Sequence, residues 1–245
     1  MTRILLEICV DDAAGLDTAR TGGADRVELC SALALGGLTP SAGMMMLAAR
    51  SPLPVMAMIR PRAGDFVWSA PEHEAMRTEI AAARAAGLAG VVIGASNTDG
   101  TLDAAMLADL VRHAEGMDIT LHRAIDLCPD PVAAIGLCAR LGIPRVLSSG
   151  GAVTAAAGAG RLRMMTGHGV TVMPGGGISA ETLDTLTDLP LTEVHASASA
   201  PAPPPRDGRV AAFGFQPAGA RMTDATRVAA LRARLDQRPA GWISS

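Results

Sequence analysis

Tyrosine is absent from the 245-residue sequence, and aromatic residues make up only 2% of it. The core must therefore be aliphatic, and no stacking platform for nucleic-acid bases is present. Net charge is −3 with acids and bases mixed along the chain, so the basic face that nucleic-acid binding needs is missing as well. No CxxC joins any of Cys9, Cys30, Cys128 and Cys138. Four cysteines so placed form no disulfide framework, and free thiols are expected. No apolar run reaches the roughly 20 residues of a membrane span. The N-terminal stretch MTRILLEICVDD is short, broken by Glu7 and closed by Asp11 and Asp12, unlike a secretory signal. A cytoplasmic protein without membrane contact is expected. No linker divides the chain, so one domain over residues 1–245 is expected, with a Pro/Ala-rich loop at about 198–222 that is either a lid or a mobile surface loop.

Apolar residues at 49% and charged residues at 18% make a globular composition. Within it one unit recurs: a helical stretch ends at Gly, two or three residues follow, and a short Val/Ile/Leu-rich strand begins. GGADRVELC, AGLAGVVIG, EGMDITLHR, LGIPRVLSS and GHGVTVMPG all read this way. Glycine supplies the left-handed residue that ends a helix, and short apolar strands suit a parallel sheet covered by helices. Eight strands are expected at about 3–10, 25–30, 54–60, 89–94, 118–123, 144–149, 170–174 and 192–197. Helices are expected between them, most clearly in EHEAMRTEIAAARAA, DAAMLADLVRHA, DPVAAIGLCARL, SAETLDTLTD and TDATRVAALRARLD. Asp130-Pro131 and Ser179 read as helix starts. Eight βα units in this length predict an α/β fold, a TIM (β/α)8 barrel.

In such a barrel the chemistry sits at the C-terminal ends of the strands, where alternate residues point inward. LEIC and VELC then place Glu7 with Cys9, and Glu28 with Cys30, in the interior of adjacent strands. A carboxylate there is costly unless it is partnered. Other strand ends add Arg60 and Arg62 from MIRPR, His122 and Arg123 from LHRAID, Ser149 and Gly150 from LSSGG, Gly176 from PGGG, and His195 from EVHAS. The plainer reading is that Arg60 neutralises Glu7 or Glu28 as a structural ion pair. His73, His113 and His168 fall on helices and are expected to face solvent, while Cys138 and the Met44–Met46 run are expected to pack.

Two functions fit these residues. Soft thiolates at Cys9 and Cys30 suit Cu(I). Alternatively, Glu7, Glu28, His122 and His195 suit acid/base catalysis on a small carboxylate or phosphate metabolite. Arg60, Arg62, Arg123 and the backbone of Ser149, Gly150 and Gly176 would hold that anion.

The motifs LEICVD, GGADRVELCS, GGLTPS, MAMIRPRAGDF, HRAID, GGGI and EVHAS, spread over about residues 5–200, together resemble the CutC family, named for copper homeostasis. The resemblance implies a TIM barrel and places the copper role on Cys9 and Cys30, with Glu7, Glu28, Arg60, His122, Arg123 and His195 as the polar cluster. A homo-oligomer, at its simplest a homodimer, is the expected assembly. Leu121 and Ile125 depart from the family's aromatics, and the 198–222 loop matches it poorly.

Overall fold

A computed structural model describes residues 3–237. Its centre is a sheet of eight parallel strands, β1 (Leu5–Val10), β2 (Arg26–Leu29), β3 (Val55–Met58), β4 (Gly90–Ile93), β5 (Asp118–Leu121), β6 (Arg145–Ser148), β7 (Thr171–Pro174) and β8 (Glu193–Ala196). β1 to β6 each pair with the next strand in sequence, and β8 returns to pair with β1. β7 and β8 lie side by side without a hydrogen-bonded ladder. The result is the nearly closed barrel that the strand count predicts.

Six helices follow the first six strands: α1 (Ala13–Thr21), α2 (Ala42–Ala48), α3 (Ala70–Ala86), α4 (Ala104–His113), α5 (Pro131–Arg140) and α6 (Ala159–Met165). Their starts are written in the sequence. Ser69 and Glu72 form a reciprocal capping box on α3, and Asp130 accepts from the first turn of α5 ahead of Pro131. The expected helix over SAETLDTLTD is instead a turn running into a 3-10 segment, Leu183–Leu186. Ser179 does start that turn, accepting from Thr182 N–H, but three threonines and two aspartates in ten residues compete with the helical backbone.

The 198–222 segment is neither a bare loop nor a buried lid. Strand β9 (Ser199–Pro201) pairs antiparallel with β10 (Arg221–Thr223), and a short helix α7 (Arg209–Ala212) lies between them. This arm leaves the barrel directly after β8 and exposes Phe213 and Phe215. The last helix, α8 (Ala225–Gln237), returns to pack Val228, Leu231 and Leu235 onto the barrel.

Period-2 alternation divides each strand between two environments. Leu6, Ile8 and Val10 of β1, and Val27 and Leu29 of β2, are fully buried in the aliphatic shell between strands and helices. Burying one such side chain is worth about 1.5–3 kcal/mol. The barrel interior is different. It holds a small apolar cluster of Cys30, Met56, Met58 and Val92, the buried Leu147 and Met173, and a run of charged groups. Of the Met44–Met46 run on α2, Met45 is buried and Met44 half-buried against the core, as expected, while Met46 is exposed because its position faces away from the barrel. All four cysteines are unbridged. Among the described residues, no helix is long and apolar enough to cross a membrane.

Candidate functional site

The interior charges form a chain across the barrel. At its lower end Arg145 of β6 bonds Asp118 Oδ2 at 2.9 Å, Thr120 Oγ1 at 3.0 Å and Glu193 Oε2 at 2.6 Å. Glu193 also accepts from Arg26 at 2.5 Å. The guanidinium of Arg26 donates through its Nε to Glu7 Oε2. Glu7 is fully buried, and its other oxygen accepts from His195 Nδ1 at 2.8 Å. Burial by itself would push the Glu7 carboxyl up; the His195 hydrogen bond and the charge of Arg26 outweigh it and hold the group near 2.

The chain continues upward from His195. Its Nε2 lies 3.8 Å from Glu28 Oε2, and that same oxygen takes the Cys30 thiol at 3.5 Å. Burial raises the Glu28 carboxyl above its ordinary range. Burial also disfavours the His195 imidazolium, but Glu28 and Cys9 beside it overcome that and raise it well above 6.5. Both groups therefore hold protons more tightly than in water, and one proton can sit on either side of the gap between them. Burial and the neighbouring Glu28 push the Cys30 thiol well up as well.

One donor of Cys9, one of Glu28 and one of His195 all lie within 4.8 Å of one another, and all three residues are buried. Cys30 is not part of this group. Strand register explains why: Cys9 lies opposite Glu28, and Cys30 is two residues farther on, just past the end of β2. The expected thiolate pair thus becomes a thiol–imidazole–carboxyl cluster, with Cys30 behind Glu28 among methionines.

Arg60 is not the counter-ion of the glutamates; Arg26 pairs with Glu7, and His195 stands beside Glu28. Register again decides this, because Met56 stands opposite Glu28 and Arg60 lies four residues beyond it. The Arg60 head instead donates to the carbonyls of Leu35 (2.8 Å), Gly37 (2.9 Å) and Gly64 (3.0 Å), tying two mouth loops together. It also stacks over Phe66, whose ring lies 4.6 Å from that of His122. His122 accepts from Ala124 N–H at Nδ1, which leaves its proton on Nε2. Burial, aided by the Arg60 charge, lowers it to about 3 and keeps it neutral. Its ring fits because residue 94 is glycine: a Cβ there would stand 2.1 Å from the imidazole.

The remaining expected residues do not converge on an open cradle. Arg62 pairs with Asp65 and Glu72 and stacks on Trp68. Arg123 pairs with Asp126 and bonds Ser149 Oγ. Gly150 and Gly176 hold left-handed turns, and the Gly176 turn lies against Arg123. His168 is exposed, while His73 and His113 are half-buried and lie against Asp109. Arg26 and Arg145, which carry the interior network, were legible only through parity: Arg26 precedes Glu28 by two residues and so shares its inward face.

The comparisons with known proteins agree with one another. The CutC family model matches residues 4–200. A family protein CutC of Rhizobium meliloti (strain 1021) is 53% identical over 240 residues, covering 96% of this chain and 98% of that one. A family protein CutC of Caulobacter vibrioides (strain NA1000 / CB15N) is 47% identical over 233 residues, covering 93% and 95%. The crystal structure of a CutC protein from Streptococcus agalactiae, named for copper homeostasis, superposes with a TM-score of 0.75 at 27% identity, covering 79% of this chain and 98% of that one. At 14% identity and a TM-score of 0.61, 3-keto-L-gulonate-6-phosphate decarboxylase from Vibrio cholerae shares the barrel fold alone. By family model, sequence relatives and superposition together, this chain belongs to the CutC family.

Proposed function

We propose that the protein acts in copper homeostasis by holding one Cu(I) ion as cargo at the barrel mouth. Its relationship to CutC proteins, one of them named for copper homeostasis, motivates the reading. The observation that carries it is the convergence of Cys9, Glu28 and His195 donors within 4.8 Å. A thiolate and an imidazole are the soft and intermediate donors that Cu(I) favours. Ion binding displaces the proton held between His195 and Glu28, and Glu7 fixes the imidazole by its bond to Nδ1, as outer partners of metal-bound histidines do. The reading moves the second ligand from Cys30 to His195, because Cys30 lies outside the cluster and its thiol is kept protonated. The cytoplasm is the proposed setting, since its reductants keep thiols free.

Competition titration of Cu(I) against a chelator tests this. Cys9→Ser and His195→Ala should each weaken binding by on the order of 100-fold, and Cys30→Ser by much less. Equal losses at Cys9 and Cys30 with none at His195 would restore the two-thiol site. No binding by the wild type would end the copper reading.

A second reading rests on a different observation. Three buried side-chain atoms around the mouth have no hydrogen-bond partner: Glu28 Oε1, His122 Nε2 and Arg60 Nε. Buried polar atoms are rarely left so. A neutral histidine N–H facing a carbonyl oxygen, with a carboxyl group to move a proton, is a pattern that catalyses proton transfer next to a carbonyl. The chain contains no lysine, so any such chemistry proceeds without a lysine Schiff base. Small 2-oxo and 2-hydroxy acids in heavy water provide the test. Deuterium uptake that Glu28→Gln abolishes supports this reading; no uptake into any of them rejects it.

A further inference from the structure

The loop after β6 binds an anion already, and the anion is the chain's own. Asp126, in the turn after β5, sits with its side chain 7% exposed. Its Oδ1 accepts from Ser148 Oγ at 2.6 Å and from Gly151 N–H at 2.9 Å. Its Oδ2 accepts from Ser149 N–H at 3.0 Å and from Arg123 Nε at 2.8 Å, and Ser149 Oγ lies 2.9 Å away. Two backbone N–H groups, two hydroxyls and a guanidinium thus converge on one carboxylate. Burial would raise the Asp126 carboxyl; the hydrogen bonds from Ser148, Arg123, Gly151 and Ser149 outweigh it and lower the group.

The shape of the loop is built for this. Gly150 and Gly151 both take positive φ, +71° and +67°; the Gly150 N–H donates to Ser148 Oγ and holds that hydroxyl in place, while the Gly151 N–H donates to Asp126. A Cβ on Gly150 would stand 2.5 Å from Gly158 O, and one on Gly151 2.7 Å from Arg161. The N–H groups of Ser149 and Gly151, turned to one side by the glycine turn, make an oxyanion cradle. Adding an arginine gives the donor set that recognises phosphate by charge and geometry together.

We propose that Ser148–Gly151 and Arg123 form an oxyanion cradle of the phosphate class, plugged in the native protein by Asp126. A carboxylate tethered by its own backbone acts at a high effective concentration against a ligand in solution. Free phosphate therefore does not enter the wild type, and whatever binds at the mouth carries no phosphate handle held by this loop. The cradle is independent of the Cys9–Glu28–His195 cluster, so the copper proposal can fail without affecting it.

Calorimetric titration of the full chain with inorganic phosphate, at ionic strength matched with chloride, tests the proposal. Wild type should show no saturable binding. Asp126→Ser should saturate, at least about tenfold tighter than wild type, and adding Arg123→Ala should remove the gain. Phosphate binding by the wild type as tight as by Asp126→Ser would overturn it, as would no binding by folded Asp126→Ser. If that variant does not fold, Asp126→Asn keeps the shape and one acceptor. Its lowered melting temperature should recover in phosphate and not in chloride, and equal recovery in both, or in neither, contradicts the cradle.

Discussion

The lower and upper halves of the barrel interior hold the same kinds of residue in opposite states. Below, Asp118, Arg145, Glu193, Arg26 and Glu7 are joined link by link through ion pairs. Above, Glu28, His122 and Arg60 each keep a buried atom without a partner. Completed networks fix a fold; incomplete ones leave binding capacity, because the missing partner is what a ligand supplies. The contrast separates architecture from site within one cavity, where residue type alone does not.

Removing a lower charge should give the largest loss. Arg26→Met leaves the buried Glu7 and the half-buried Glu193 without their shared guanidinium, which costs about 3–5 kcal/mol and lowers the melting temperature by roughly 10 °C. A denaturant titration showing a loss below 1 kcal/mol would place the charges outside the fold's stability and dissolve the contrast.

His122 gives the next effect, and it depends on pH. The unfolded imidazole takes its proton near 6.5 and the folded one only near 3. Its contribution is thus whole above pH 6.5 and is lost as pH falls toward 3, by up to about 1.4 kcal/mol per pH unit. His122→Gln should flatten that limb of the stability curve. An unchanged slope would mean that another group titrates there.

Arg60→Met releases three loop carbonyls and should cost about 2 kcal/mol, with faster amide exchange in residues 33–38. Glu28→Gln should cost least, about 1 kcal/mol or less, because the amide keeps the shape and Oε1 has no partner to lose. The same change should sharply weaken Cu(I) binding. Loss of stability without loss of binding at Glu28 would assign it to the lower half.

The sequence showed the barrel through the Gly-to-strand repeat, and it showed which side chains face inward through alternation in LEIC and VELC. Placement along the axis was not visible, because register between strands depends on the closed sheet. That is why Cys9 meets Glu28 and not Cys30, and why Arg26 and not Arg60 answers Glu7. The arm at 199–223 was hidden for another reason. Its strands, SAP and RMT, are three residues each, too short to show a period.

X-ray absorption at the copper edge on the Cu(I)-loaded wild type reads the ligand set itself. One sulfur neighbour, from Cys9, is expected, with one or two nitrogen or oxygen neighbours from His195 and Glu28. A shell of two sulfurs alone, or a protein that retains no copper, would contradict it.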